Sequence, residues 1–388
     1  MIEWFKENDI TQYNHQPIYL NNLRGYVLPH AGTTYTGHIL AHTLRFRPSR
    51  DILEKINAIV IFYLPSTRDP DDGGEYHEYS VPYNALLTVP EFSDMEFIGY
   101  NVIDTDPSTV NQINGLDKAH TLFVVSADFS HNLPLQEAIK RENCAAHALM
   151  HRSFSPECTS VIDSSTSFQR LYSLIPNNWQ FQWVGRTRSP GELGVGYCSF
   201  LLRTAPDLTK TPPNGFFVTA YDEEMNSREC LGNTTSWSRQ LEKALVNDVL
   251  TKASTTSRLT GGELLNVPVT NYTVTYLYDE RKSRRHFIRG WHGMKTDALY
   301  LPDVFLENTY DNGSWIKPQD IKWPKGNKFR FKQTLNKLKS KVRQFMNRSV
   351  GAKRRRRNRR NKKNVTKTIY KNRPHLFYSE VRHHMRSS

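Results

Sequence analysis

The sequence predicts an α/β protein with a largely parallel sheet, followed by a smaller α+β domain and a basic tail that is disordered or helical. Short apolar strands alternate with amphipathic helices in the N-terminal half. Three prolines then mark a linker, and the composition turns strongly basic near Lys317. We therefore expect an α/β domain over 1–205, a linker over 206–214, an α+β domain over 215–316 and a tail over 317–388.

The N-terminal segment carries polar residues directly after its apolar runs. Residues 58–63 are continuously apolar, and residues 122–126 are apolar up to the final Ser126, which is typical of parallel strands that are buried on both faces. His30 follows an earlier strand, and Asp128 and His131 follow the run at 122–126. In open α/β sheets the site lies beyond the carboxyl ends of the strands. These three residues are therefore the candidates for catalysis or metal binding.

The segment after the linker mixes strands with few helices. Residues 215–220 and 271–277 alternate in the manner of half-exposed strands, and residues 238–252 carry an apolar stripe with helical spacing. This order predicts an α+β domain.

The tail is the most strongly charged part of the chain. It holds 25 Lys and Arg with two acidic residues, a net charge of +23, whereas the remaining residues carry −9. A helix is expected over about 328–349, because Leu335, Leu338, Val342 and Phe345 share one face. The run that follows has no apolar side chains and cannot fold alone.

Such a run is expected to bind nucleic acid, because Lys and Arg neutralise phosphates and release counterions. A nuclear import signal has the same composition, and an anionic membrane or an acidic protein is a further alternative. The candidate residues in the run are Lys353, Arg354, Arg355, Arg356, Arg357, Arg359, Arg360, Lys362 and Lys363.

Composition and the cysteine pattern indicate the cellular compartment in which the protein is expected. No apolar stretch is long enough to predict a transmembrane helix, and the first residues do not resemble a secretory signal. The four cysteines, Cys144, Cys158, Cys198 and Cys230, show no CxxC spacing, so reduced thiols are expected. The protein is expected to be intracellular, in the cytoplasm or the nucleus.

The N-terminal segment resembles the Memo family. Pro29-His30-Ala31-Gly32 after a strand is similar to one family motif, and Ser126-Ala-Asp-Phe-Ser-His131 to a second. Val195-Gly196-Tyr197 is similar to a third. The resemblance covers about 15–205 and implies a fold like that of class III extradiol dioxygenases.

The resemblance also implies a small metal site with iron or copper, and His30 matches its first ligand. The family's second ligand, a histidine after Pro-Ser, is replaced where Thr67 and Arg68 follow Ser66. The third, a cysteine, is missing from the loop 185–192. Arg186 and Arg188 of this loop, together with Arg68, suggest an anion site instead. His77 and His131 are the remaining candidates for relocated ligands.

The second segment resembles the AMMECR family. Arg228-Glu-Cys-Leu-Gly232 is similar to the family's Arg-Gly-Cys-Ile-Gly signature, with Glu229 in place of glycine. Gly215-Phe-Phe-Val-Thr, Gly290-Trp-His-Gly and Leu301-Pro-Asp-Val match further features of the family in the same order. Cys230 could be an activated nucleophile, but a buried structural thiol in a tight turn fits the same pattern.

Two functions follow from these observations. The first is a non-catalytic binding or scaffold protein with a degenerate metal site, without a cofactor, whose tail binds nucleic acid. The alternative is a metal-dependent oxidoreductase distantly like the class III extradiol dioxygenases, with His30 and relocated ligands. The sequence shows no Walker A, GxGxxG, HExxH or GxSxG pattern, so it does not support the common nucleotide-binding or hydrolase classes.

Overall fold

The fold is that of a computed structural model. It describes residues 17–66, 76–222, 225, 227–255, 269, 271–280, 288, 290–295, 299–308 and 375–385. Of residues 279–280, 294–295, 299–300, 305, 308 and 375–385 it describes the backbone alone.

The described residues divide into two compact units. The first holds residues 17–277 and 380–385, and the second holds residues 278–308 and 375–379. The domain boundaries expected from the sequence are not tested by this division and stay predictions.

The main sheet of the first unit has six strands in the order β5-β4-β6-β2-β8-β7. The four strands from β5 to β2 are parallel, whereas β8 runs antiparallel to both of its neighbours. This mixed, largely parallel sheet confirms the predicted α/β class. The strands are β2 (Leu23–Leu28), β4 (Ala58–Tyr63), β5 (Glu96–Asn101), β6 (Thr121–Ser126), β7 (Trp179–Arg188) and β8 (Gly196–Thr204), and a separate parallel pair is formed by β1 (Ile18–Leu20) and β3 (Phe46–Pro48).

Helices connect these strands. The longest, α5, buries Ala138, Glu142, Ala145 and Leu149, which recur every three or four residues and so form one face. The helices are α1 (Thr33–Leu44), α2 (Arg50–Leu53), α3 (His77–Leu86), α4 (Pro107–Asn114), α5 (Leu135–Met150), α6 (Pro156–Thr159) and α7 (Ser165–Leu174), and a 3₁₀ turn spans Pro90–Phe92.

The core of the sheet is apolar and tightly packed at β2 and β6. Tyr26, Phe62 and Phe123 are almost completely buried, and burial of each such side chain contributes about 1.5–3 kcal/mol. Gly25 is required there, because a Cβ atom would collide with the carbonyl group of Phe123 on the neighbouring strand. The close contact of β2 with β6 brings the ends of these two strands together.

The first unit continues beyond the proline-rich segment with a second group of strands. In it β9 (Gly215–Tyr221) pairs antiparallel with β10 (Ser227–Asn233) and with β11 (Asn271–Glu280), and α8 (Arg239–Thr255) packs on them. An antiparallel sheet with one helix agrees with the α+β composition that the sequence predicts.

The second unit contains β12 (His292–Lys295), β13 (Leu299–Tyr300) and α9 (Pro302–Asn308). Here β12 pairs antiparallel with β13 and with β14 (His375–Met385). The prediction of a disordered or helical tail is therefore wrong for residues 375–385. This segment follows most of the basic residues and is rich in β-favouring types, including Phe377, Tyr378 and Val381.

The cysteines differ from the sequence-based expectation. Cys144 in α5 and Cys158 in α6 form a disulfide, with their Cα atoms 5.0 Å apart, so the prediction of reduced thiols is wrong for this pair. Two cysteines that are 14 positions apart in sequence become neighbours only because the chain turns between α5 and α6. Cys198 and Cys230 are not part of a disulfide.

A search of the described residues for a long, apolar helix that could cross a bilayer finds none.

Candidate functional site

His30, Asp128 and Asp163 come together at one edge of the main sheet. His30 follows β2, Asp128 follows the adjacent parallel strand β6, and Asp163 lies in the connection between α6 and α7. Among the residues that the structure describes, these three form a group in which one potential ligand atom of each lies within 4.8 Å of the others.

Backbone N–H groups hold both carboxylates in place. The N–H of His30 donates to Oδ1 of Asp128 at 3.0 Å, and the N–H of Asp128 donates to Oδ1 of Asp163 at 3.0 Å. Each Oδ2 atom is thereby turned towards the ring of His30, whose Nε2 lies 3.8 Å from Asp128 and 3.2 Å from Asp163. The main chain thus orients the site before any ligand enters it.

Ser126 orients the imidazole of His30. The Ser126 hydroxyl donates to the backbone carbonyl of Glu78 at 2.5 Å, and its oxygen lies 3.0 Å from Nδ1 of His30. Since the hydroxyl proton is already used, the Ser126 oxygen must accept from Nδ1–H. The Nε2 atom of His30 is therefore the one that faces the two carboxylates.

The three side chains favour a positive charge between them. Burial alone would lower the pKa of His30, but the carboxylates of Asp128 and Asp163 outweigh it and raise that pKa to about 9. Burial raises the pKa of Asp128 as well. A proton on Nε2 of His30 supplies this positive charge in the metal-free protein. A metal cation bound between the three side chains would supply it too.

The other two predicted histidines lie close to this group. Nε2 of His131 is 3.9 Å from Oδ2 of Asp163. His77 is the first residue of α3, and its ring centroid is 6.1 Å from that of His30. Thr67 and Arg68, which stand at the family's second ligand position, lie outside the described residues.

The proposed anion site at Arg186 and Arg188 is wrong for Arg186. Arg186 forms an ion pair with Glu142 at 2.7 Å, and both side chains are fully buried. Glu142 also accepts a hydrogen bond from Ser130, so this pair supports the loop that carries Asp128 and His131. Arg188 donates to the carbonyls of Leu133 and Glu192, while its Nε and Nη1 atoms have no hydrogen-bond partner among the described residues.

The signature residues Arg228, Cys230 and Gly232 lie in β10 and not in a tight turn. The Thr219 hydroxyl on β9 is 3.2 Å from Sγ of Cys230, and Arg228 is buried with one guanidinium nitrogen 3.2 Å from the carbonyl of Ala253. His292 begins β12 in the second unit. These contacts fit a structural role for the motif.

The sequence did not reveal Asp163. It lies in a connection without a recognisable motif, and its Cα–Cβ direction depends on the turn after α6. The residues of the basic run, 353–363, and the expected helix at about 328–349 lie outside the described residues.

The sequence matches no protein-family model and no curated protein. The resemblances to the Memo and AMMECR families therefore stay predictions, and the chemistry of the site rests on its own residues.

Proposed function

We propose that the N-terminal part of the chain binds a divalent metal ion at His30, Asp128 and Asp163. The observation that carries this proposal is the convergence of one imidazole nitrogen and two carboxylate oxygens, each held by a hydrogen bond through its other atom. With three protein ligands, such an ion keeps positions for water or a substrate.

The donor set supports some metals better than others. Imidazole and carboxylate donors suit Fe²⁺ and Zn²⁺, whereas Cu⁺ prefers thiolate and thioether ligands. Both metals that the family resemblance implies, iron and divalent copper, therefore fit the donor set, whereas Cu⁺ does not. An ion of this kind would polarise a bound oxygen ligand or lower the pKa of a bound water molecule.

We therefore favour a metal-dependent oxidoreductase over a non-catalytic scaffold. The second and third ligands expected from the Memo resemblance are missing, but Asp128 and Asp163 offer two carboxylates beside His30, so the loss of the family's histidine and cysteine does not by itself imply a dead site. Further contacts hold the candidate ligands in their orientation. Ser126 orients His30, and the backbone of His30 orients Asp128.

Metal analysis of the purified full-length protein tests this proposal. After loading with Fe²⁺ or Zn²⁺, we expect one ion per chain, and Asp163→Asn should lose it because a neutral amide is a much poorer ligand. Asp117→Asn is the matched control, since Asp117 also pairs with a histidine, His120, but on the exposed surface. A wild-type protein that binds no ion would leave the scaffold as the better explanation.

We further propose that the basic tail binds nucleic acid. The supporting observation is its net charge of +23 beside a body of −9. Arginine side chains bind phosphate oxygens through paired N–H donors, and the affinity of such segments falls steeply with salt.

Replacement of the nine basic residues in 353–363 by glutamine tests the tail in the full chain. This change is preferable to truncation, because residues 375–378 pair with β12. At 50 mM salt, the glutamine variant should bind a labelled RNA and a labelled DNA at least about tenfold more weakly than the wild type does. Its affinity should also fall less steeply as the salt concentration rises. A control variant with Arg239, Lys243 and Lys252 replaced should bind as the wild type does. Equal affinity in the two variants would contradict the proposal.

A further inference from the structure

His131 lies beside the three-residue site but outside the group whose atoms are all within 4.8 Å of one another. Its Nε2 atom approaches Oδ2 of Asp163 at 3.9 Å, the same oxygen that Nε2 of His30 approaches at 3.2 Å. The side chain of His131 is 43% exposed, so its ring has room to turn. Two imidazole nitrogens therefore approach the same carboxylate oxygen.

The hydrogen bond of the His131 ring fixes which nitrogen faces the site. Nδ1 lies 2.7 Å from the backbone carbonyl of Phe129. A carbonyl only accepts, so Nδ1 carries the proton and Nε2 of the neutral ring keeps its lone pair. Metal-binding histidines are usually held in this way, by a carbonyl or carboxylate on the nitrogen that does not bind the metal.

The four side chains share one arrangement. His30 and His131 use Nδ1 for a protein partner and turn Nε2 inward, and Asp128 and Asp163 use Oδ1 for a backbone N–H and turn Oδ2 inward. This arrangement is the one expected of a site whose inward atoms share a cation.

The distances suit a first-row ion. Ligand atoms that are about 2.0–2.2 Å from one ion are about 2.8–3.6 Å apart, and an ion with more than four positions would keep room for water beside four protein ligands. Nε2 of His30 lies 3.2 and 3.8 Å from the two carboxylates, and Nε2 of His131 lies 3.9 Å from Asp163, so the ring of His131 would have to move towards His30 and Asp128 to share an ion with them.

We propose that His131 is the fourth ligand, which completes a site of two imidazoles and two carboxylates and selects an ion such as Fe²⁺ or Zn²⁺ over Mg²⁺ and Ca²⁺. This inference rests on the proposed metal site and adds a ligand and a metal class to it. Mg²⁺ and Ca²⁺ prefer oxygen ligands throughout, so two nitrogen ligands disfavour them.

The number of coordinated imidazoles tests the inference directly. Full-length metal-free protein is loaded with one equivalent of Cu²⁺ as a paramagnetic probe, and pulsed electron paramagnetic resonance counts the nitrogen-coordinated rings. We expect two imidazoles in the wild type and one in His131→Ala. His120→Ala is the control, because His120 pairs with Asp117 in a similar His–Asp contact at the surface, and it should keep two.

The Zn²⁺ affinity, measured by competition with a coloured chelator, gives a second readout. Loss of an outer partner of a ligand costs about 10–100-fold in metal affinity, so loss of His131 as a ligand should cost more than that. Millimolar Mg²⁺ should not displace Zn²⁺ from the wild type. One imidazole in the wild type and an unchanged affinity in His131→Ala would overturn the inference and leave the three-ligand site intact. A wild-type protein that binds neither Cu²⁺ nor Zn²⁺ would instead contradict the proposed metal-binding function.

Discussion

The hydroxyl oxygen of Ser126 lies 3.0 Å from Nδ1 of His30 and can only accept the ring proton, because its own proton is donated to the carbonyl of Glu78. A buried serine on β6 thereby determines which nitrogen of a histidine that follows the neighbouring strand β2 faces the candidate site. The relationship links the register of two parallel strands to the chemistry at their ends.

Removal of this hydroxyl should weaken metal binding without removing a ligand. We expect Ser126→Ala to lower the Zn²⁺ affinity by about 10–100-fold, as is typical for a residue that orients a metal-binding histidine. Ser199→Ala is a matched control, because Ser199 is also a buried serine of the same sheet but contacts Thr43. Calorimetric titration of both variants measures the difference, and equal affinities would contradict the role of Ser126.

A side chain at Gly196 should disrupt the support of the site. A Cβ atom there would collide with the carboxylate of Glu142 and lie 2.6 Å from Oγ of Ser130, both of which are buried. We expect Gly196→Ala to lower the free energy of unfolding by about 3–5 kcal/mol, since it would separate Glu142 from Arg186. Gly32→Ala, where a Cβ meets no atom within 4 Å, should change it by less than about 1 kcal/mol. Denaturant titration compares the two variants.

The Cys144–Cys158 disulfide should stabilise the chain in its oxidised form. A bridge that closes a loop of about 15 residues contributes about 3 kcal/mol through the unfolded state. We expect a reducing agent to lower the unfolding free energy of the wild type by up to this amount and to leave a Cys144→Ala/Cys158→Ala variant unchanged. Thermal unfolding with and without reductant measures this effect. A wild type that is insensitive to reductant would show that the bridge does not form in solution.

Glu91 should contribute a pH-dependent part of the stability. Burial would raise the pKa of its carboxyl, but hydrogen bonds from Arg47 and Tyr19 outweigh this and hold it below the ordinary value of 4.5. A carboxyl whose pKa is lowered by folding stabilises the protein above that value, and the stabilisation is lost as the pH falls.

We therefore expect the unfolding free energy of Glu91→Gln to fall less steeply between pH 6 and pH 3 than that of the wild type. At pH 7 the variant should be less stable by about 1–3 kcal/mol, because Arg47 is buried and loses a charged partner. Glu54→Gln is the control, since Glu54 pairs with Arg50 at the surface and should contribute about 0.5 kcal/mol or less. A Glu91 variant with an unchanged pH profile would refute the assignment.

Local sequence was sufficient for the parts of the fold that depend on apolar pattern. The strand at Ala58–Tyr63 was predicted with the ends that the structure shows, because a short, continuously apolar run is typical of a strand that is buried on both faces. The places of His30 and Asp128 at strand ends followed from the same pattern.

Features that depend on contacts between distant segments could not be predicted. Asp163 reaches the site only because its connection folds back on Asp128, whose N–H donates to Oδ1 of Asp163 and whose carbonyl accepts from the N–H of Asp163. The pairing of Cys144 with Cys158 depends on the angle between two helices. The pairing of residues 375–378 with β12 requires a strand that is far away in sequence.

The position of β2 in the sheet has a consequence for synthesis on the ribosome. One neighbour of β2 is β6, but its other neighbour is β8, which is translated much later. At about 5–20 residues per second, β2 would wait about ten seconds or more for its second partner. During that interval the nascent chain presents an unpaired strand edge, and a chaperone that covers it would protect the protein from aggregation.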